Sequence, residues 1–209
     1  MTNFDGIAQH YHWMERLSFG RSLQRCRTRF IPELSHFEAV LIVGEGDGRF
    51  LEALLKHNSM VKADVVDSSA AMLALAQRRA QDAGRVKTFH VNALEFEPSQ
   101  KYDAIVTNFF LDCLTQEQLN ALVKRYVHFL NPGGLWIVSE FSIPHGVVRP
   151  FAKLLVRLLY TAFGVLTKLR ITKLPNFEQP MLDAGFFRPL RHASLCGILT
   201  AELWRLSTS

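Results

Sequence analysis

The feature that most constrains this chain is an alternation of patterns. From residue 39 onward five short apolar runs rich in Val and Ile, Ala39–Val43, Val61–Val66, Val86–Val91, Asp103–Thr107 and Leu135–Glu140, are separated by stretches of helical spacing. Such runs are too short and too β-branched for helices, and their near-continuous apolar character is that of strands covered on both faces. Parallel neighbours need a crossover, usually a helix, so the alternation predicts βαβ units around a mostly parallel sheet. The intervening segments agree. Leu51, Leu54 and Leu55 share one helical face, and Met72, Leu73 and Ala76 share another. Leu119, Leu122, Val123, Tyr126 and Leu130 recur at helical spacing after Thr115, with Gln118 placed to complete a capping box; Asn131-Pro132-Gly133-Gly134 is expected to stop that helix.

Two outer parts frame this core. Residues 1–38 read as helical, with Leu23, Cys26, Phe30 and Leu34 three to four residues apart. Apolar positions from Phe151 to Leu169 form one broad helical stripe, which Gly164 bends or divides. The tail offers two strands, Phe186–Ala193 and Gly197–Leu206, separated only by Ser194-Leu195-Cys196, which predicts an antiparallel hairpin at the sheet edge. No repeat and no long linker divides the 209 residues, so one domain is expected.

Composition narrows the classes. With 48% hydrophobic and 21% charged residues, the chain is neither disordered nor fibrous. Cys26, Cys113 and Cys196 are odd in number and far apart, which excludes a disulfide framework or a Cys-x-x-Cys metal site and fits a reducing, cytoplasmic setting. His10 and His12 lack the carboxylates or cysteines that would complete a site, so no metal is expected. Met1 to His10 has no secretory pattern, and Lys153 and Arg157 interrupt the apolar region that comes nearest to a membrane span. The net charge of +5 is concentrated: residues 141–209 carry 9 basic and 3 acidic side chains. A basic end fits an acidic partner, a membrane surface met through the 149–173 region, or a solvated face.

The strongest local signal is Val40-Leu41-Ile42-Val43-Gly44-Glu45-Gly46-Asp47-Gly48-Arg49-Phe50-Leu51, an apolar strand running into a glycine turn that opens a helix. Glycines there permit positive φ and let a ligand approach the backbone. Asp67 follows nineteen residues after Gly48, at the end of the second strand, where a carboxylate can accept both hydroxyl hydrogens of a ribose. The spacing departs from the Gly-x-Gly-x-x-Gly of dinucleotide sites, because Arg49 stands where the third glycine belongs, and no Gly-Lys-Ser/Thr follows to make a P-loop.

With Asp67-Ser68-Ser69-Ala70-Ala71-Met72-Leu73, Asn92-Ala93, Tyr102-Asp103-Ala104-Ile105-Val106 and Leu130-Asn131-Pro132-Gly133-Gly134, this stretch resembles the class I S-adenosylmethionine-dependent methyltransferases. Leu182-Asp183-Ala184-Gly185-Phe186 adds a likeness to the small-molecule members of the ubiquinone/menaquinone C-methyltransferase type. The resemblance spans residues 7–206. It implies a Rossmann-like, seven-stranded, mostly parallel sheet with an antiparallel C-terminal hairpin and helices on both faces. It divides the single domain into a helical cap (1–38), a cofactor-binding core (39–140) and a substrate-side helix with the terminal hairpin (141–209). It implies S-adenosylmethionine as cofactor, with S-adenosylhomocysteine as product. Gly44, Gly46 and Gly48 would lie against its methionine and ribose parts, Asp67 on the ribose hydroxyls, Ser68 and Met72 beside the adenine, and Asn92 with Ala93 at the adenine amino group. Asn108 would lie near the sulfonium and Tyr11 over the cofactor.

The chain has Ile42 where the family commonly has an acid, and Glu45 is the carboxylate expected to supply the missing charge to the cofactor's ammonium group. Methyl transfer depends on alignment of nucleophile, methyl and leaving sulfur, and needs a general base only for a neutral hydroxyl acceptor. Asp112 and His145, beyond the carboxyl ends of the fourth and fifth strands, are the candidates for that role, followed by Glu140. Phe109, Phe110 and Phe141 would line an apolar acceptor pocket, covered by the 151–169 stripe. The expected substrate is a small, lipophilic acceptor. A nucleic-acid substrate is the rival that the basic tail suggests, but Asn108-Phe109-Phe110-Leu111 lacks the prolines of the amino-methylating nucleic-acid motif. A non-catalytic S-adenosylmethionine-binding protein is the other alternative, because fold does not fix function.

Overall fold

The computed structural model describes residues 21–81, 84–144, 146, 149–155 and 174–208. Its strands are β1 (Ala39–Val43), β2 (Lys62–Asp67), β3 (Val86–His90), β4 (Tyr102–Asn108), β5 (Leu130–Phe141), β6 (Phe186–Ser194) and β7 (Leu199–Leu206). They form one seven-stranded sheet in the order β3-β2-β1-β4-β5-β7-β6. The first five run parallel, β7 pairs antiparallel with β5, and β6 lies antiparallel to β7 at the edge. This is a doubly wound, Rossmann-like sheet, and the expected terminal hairpin is present.

Helices cover both faces, as the period-two alternation of a doubly buried strand requires. Val40, Ile42, Val65, Ala104, Val106 and Ile137 belong to one cluster, with side chains of α1 (Arg21–Arg27), α2 (Arg49–His57) and α3 (Ala70–Ala80). Leu41, Val43, Val66, Ile105, Trp136 and Val138 belong to the other, with side chains of α4 (Gln116–Tyr126) and with Met181 of α5 (Glu178–Asp183). The capping box is formed: Thr115 Oγ1 accepts from the Gln118 amide at 3.2 Å, and Gln118 Oε1 accepts from the Thr115 amide at 3.0 Å. The N-terminal contact is also fixed by polar groups, because Cys26 Sγ donates to the Thr200 carbonyl at 3.4 Å and Ser139 Oγ donates to the Cys26 carbonyl at 3.5 Å.

Most boundaries fall within two residues of expectation, and the largest difference is at the start of β5. Helix α4 ends at Tyr126, a 3-10 turn covers Val127–Phe129, and Leu130 already opens β5. The Pro-Gly-Gly run therefore lies inside the strand rather than at the helix stop. Pro132 is tolerated because it sits near the strand's beginning, where the pairing of β5 with β4 shifts register between Tyr102 and Ala104. Gly134 is required by space: a Cβ there would stand 2.9 Å from the Asn131 carbonyl oxygen and 3.1 Å from that of Asp103.

Strand order sets where a ligand can enter. The chain steps outward through β1, β2 and β3 in one direction and through β4 and β5 in the other, so the sheet switches direction between β1 and β4. The crevice beyond the carboxyl ends at such a point is where ligands bind in open α/β sheets.

Candidate functional site

The glycine turn occupies that switch point. Gly44 leaves β1 with its amide donating to the Val66 carbonyl at 2.9 Å, and Gly44, Gly46 and Gly48 all adopt left-handed backbone, with φ of 67°, 68° and 83°. A Cβ on Gly44 would lie 2.4 Å from Phe110 Cδ2, and one on Gly48 would lie 2.5 Å from Ala76 Cα. The third glycine thus lets α2 and α3 approach each other, so the space beside it belongs to a helix.

Asp67 ends β2 across the crevice. Its Oδ1 accepts from the Ser69 amide at 2.9 Å, and burial pushes its carboxyl up to about 6 against the pull of the Ser69, Gly46 and Ser68 amides and of His90. Ser69 caps α3, its Oγ accepting from the Met72 amide at 3.2 Å, and Met72 is buried. Ser68 is exposed, with its carbonyl 3.1 Å from His90 Nε2. Asn92 is exposed as well, and its Oδ1 accepts from the Leu94 amide at 3.0 Å in an Asx turn, which leaves that oxygen one further lone pair. Ala93 is buried, and its carbonyl accepts from the Tyr126 hydroxyl at 2.8 Å.

Glu45 is a buried side chain despite its place in the loop. Its Oε1 accepts from the Phe50 and Leu51 amides at 2.9 and 3.0 Å, which satisfies donors in the first turn of α2, while its Oε2 is buried without a hydrogen-bond partner among the described residues. Burial pushes this carboxyl up to about 8; the positive charge of Arg27 acts against that rise, and the negative charge of Asp47 adds to it. The other loop acid is structural. Asp47 binds Arg49 Nε at 2.9 Å and an Arg79 terminal nitrogen at 3.2 Å, joining the start of α2 to the end of α3.

Beside Glu45, at the end of β4, stands Asn108. It is 4% exposed, and neither its Oδ1 nor its Nδ2 has a hydrogen-bond partner among the described residues. Helix α1 closes this side. Gln24 Nε2 donates to the Arg49 carbonyl at 3.3 Å while its Oε1 is buried without a partner among the described residues. Arg27 is 5% exposed and lays its guanidinium 5.2 Å from the centre of the Phe109 ring. Phe109, itself at φ 53°, packs its ring 5.0 Å from that of Phe141. A buried unpaired amide or carboxylate oxygen costs stability unless something meets it, and here such atoms converge on one crevice.

On the opposite side of the sheet edge, Glu140 holds the loop after β4. Its Oε1 accepts from the Phe110 and Leu111 amides at 3.1 and 2.7 Å, and its Oε2 is buried without a partner among the described residues. Burial first, and then the neighbouring Asp112 carboxylate, hold the Glu140 carboxyl well above its ordinary range. Asp112 is buried in the 3-10 turn Leu111–Cys113, where its Oδ1 lies 3.4 Å from Cys113 Sγ.

The three phenylalanines are divided. Phe109 and Phe141 lie together on the α1 side, and Phe110 lies against Gly44 and the α4-side cluster. Tyr11 and His145 lie outside the described residues, as do His10, His12 and positions 156–169 of the apolar stripe. Two residues of this crevice, Gln24 and Arg27, escape a reading of the sequence, because α1 carries Arg21, Arg25 and Arg27 within seven residues and nothing local marks the buried one.

Comparison with known proteins agrees with the fold. Residues 40–134 match the family described as a methyltransferase domain. The demethylmenaquinone methyltransferase of Tropheryma whipplei (strain Twist) is 30% identical over 120 residues, 57% of this chain and 48% of that protein. Polyamine aminopropyltransferase 2 of Bacillus anthracis is 30% identical over 117 residues, 49% of this chain and 32% of that protein. The chain thus spans about half the length, or less, of these relatives. Among solved structures, the N-methyltransferase NodS of Bradyrhizobium japonicum WM9, in complex with S-adenosyl-L-homocysteine, has a TM-score of 0.64 at 18% identity and covers 88% of each chain. Mitomycin 7-O-methyltransferase MmcR has a TM-score of 0.71 at 13% identity, over 99% of this chain and 61% of that one.

Proposed function

The segment 40–134 is a methyltransferase domain on a Rossmann-like methyltransferase fold, and from that premise we propose that the protein transfers a methyl group from S-adenosylmethionine to a small, lipophilic acceptor. The observation that carries the reading is a set of polar atoms buried without a hydrogen-bond partner among the described residues: Glu45 Oε2, both ends of the Asn108 amide, and Gln24 Oε1 of α1. These atoms suit a ligand that brings both donors and acceptors, and the zwitterionic end of the cofactor does so. Glu45 Oε2 and Asn108 Oδ1 would accept from its ammonium group, and Asn108 Nδ2 with the Arg27 guanidinium would meet its carboxylate. Asp67, at the end of β2, would accept from the ribose hydroxyls.

When bound, S-adenosylmethionine supplies a methyl group activated by a positively charged sulfur. The chain's own part is alignment, which can contribute about 7–11 kcal/mol to such a displacement. Gly44 and Phe110 fix the distance between the β1 and β4 loops, and Glu140 fixes the β4 loop itself. Asp112, with Glu140 beside it, is the described carboxyl placed to take a proton from a hydroxyl acceptor. The Phe109 and Phe141 rings form the apolar side on which a lipophilic acceptor would lie. Three separate free thiols, one of them exposed at Cys196, keep the reading of a reducing, cytoplasmic setting.

The test uses methyl-labelled S-adenosylmethionine and whole-cell extract, with the label then partitioned among organic, aqueous, protein and nucleic-acid fractions. Controls omit the protein or carry Asp67→Ala. Protein-dependent label in the organic fraction is the expected result. Label confined to another fraction overturns the lipophilic acceptor, and cofactor binding without any label overturns methyl transfer in favour of a binding protein.

A further inference from the structure

Residues 149–155 form a helical segment beyond β5 whose charge and apolar surface have no part in the site above. Ala152 is fully buried, while Phe151 and Leu154 are 62% and 56% exposed. Among the described residues only Met60, at 68%, exceeds them as an exposed large hydrophobic side chain, and it stands just before β2. Single exposed apolar side chains are ordinary; two on one short helical segment beside cations are less so. Arg149 and Lys153 flank them and are exposed. The surrounding sequence has one sign of charge: between Glu140 and Glu178 there are six Lys or Arg residues and no Asp or Glu.

We propose that this segment is a docking surface for an anionic lipid bilayer, with Phe151 and Leu154 entering the interface while Arg149 and Lys153 meet acidic headgroups. Aromatic and aliphatic side chains give an interfacial helix its apolar hold, and basic residues add attraction to anionic lipid that falls within a Debye length. The complementarity is specific in sign. A neutral surface would leave the cations unpaired, and a cationic one would repel them. The attachment is reversible, because one short apolar patch cannot hold as a spanning helix does. Among the described residues no helix is long and apolar enough to cross a membrane.

The experiment is sedimentation of the full chain with vesicles of phosphatidylcholine, with and without phosphatidylglycerol, over a range of salt. This readout passes through neither cofactor nor acceptor, so its failure and that of the methyl-transfer reading are distinguishable. Binding is expected only with phosphatidylglycerol, and it should weaken as salt rises. Arg149→Gln with Lys153→Gln should weaken it roughly ten- to thirtyfold, Phe151→Ser with Leu154→Ser should weaken it as well, and Met60→Ser should leave it unchanged. All substituted positions are exposed, and urea midpoints check that each variant folds; the salt dependence of the unmodified chain remains a test if one does not. Equal binding to neutral vesicles, no binding to either, or vesicle binding left intact by both double variants would each overturn the proposal.

Discussion

The ring of Phe110 fills the space that a side chain on Gly44 would need: a Cβ built there stands 2.4 Å from Phe110 Cδ2, with Gly44 at φ 67°. Glycine is thus required twice at this position, once by the left-handed backbone and once by a neighbour from β4. Gly44→Ala should destabilise the protein by about 2–4 kcal/mol and abolish cofactor binding. Adding Phe110→Ala removes the clash and leaves the backbone cost, so the double variant should regain part of the lost stability. A urea midpoint for the double variant below that of Gly44→Ala alone would show that the ring is not the obstacle.

Asn108 offers the opposite behaviour. Removing a buried side chain usually destabilises, but both polar ends of this one are buried without a partner among the described residues, and each such group costs about 1–3 kcal/mol. Asn108→Ala should leave the ligand-free protein within about 1 kcal/mol of its original stability, or more stable, and weaken S-adenosylhomocysteine binding at least tenfold. Unchanged affinity by calorimetry would remove Asn108 from the site.

Glu45 links binding to protons. Burial raises its carboxyl from 4.5 to about 8, and that of Asp67 rises from 3.8 to about 6, so between those limits the native state holds more protons than the unfolded chain. The contribution of these groups is therefore most favourable below the ordinary carboxylate range. It falls as pH rises through about 6 for Asp67 and about 8 for Glu45, and is level above that. An ammonium group placed at Glu45 Oε2 favours the ionised form, so cofactor binding near neutral pH should release close to one proton. Calorimetry in two buffers of different ionisation heat measures it. Glu45→Gln should lose the release and reduce affinity; unchanged affinity would exclude Glu45 as the ammonium partner.

Glu140 can be tested apart from chemistry. Glu140→Ala leaves the Phe110 and Leu111 amides without their buried acceptor and should destabilise by about 2–3 kcal/mol, with faster hydrogen exchange at those two amides. Glu140→Gln keeps an acceptor oxygen and should restore slow exchange. If the alanine variant protects both amides as before, the tether is not what orders the loop.

Much of the fold was legible because its signals are local. Strand β1 has the expected limits, and the Thr115–Gln118 capping box needs only residues three apart. Asp67 ends β2 as its place in the sequence led one to expect, because strand length and glycine turn together set its distance from the turn. What escaped depends on distant partners. Arg27 is distinguished from its neighbouring arginines by Phe109, and Glu140, legible only as a candidate base, gets its role as a loop tether from amides 29 and 30 positions away. Asn92 shows the reverse case of a local partner: its Oδ1 accepts from the amide of Leu94, two positions on, and keeps a second lone pair. The end of α4 was displaced because the strand pairing of Leu130 overrides the helical spacing of its apolar side chain.

The Glu140 tether also bears on how much of the chain the crevice needs. Glu140, Phe141 and Arg27 all lie outside residues 40–134, the stretch shared with the methyltransferase-domain family. The glycine turn and Asp67 lie inside it. The crevice is thus assembled from the matched stretch together with Arg27 ahead of it and Glu140 behind it, so a fragment cut at residues 40 and 134 would lose the guanidinium and the loop tether together and is not a self-sufficient module.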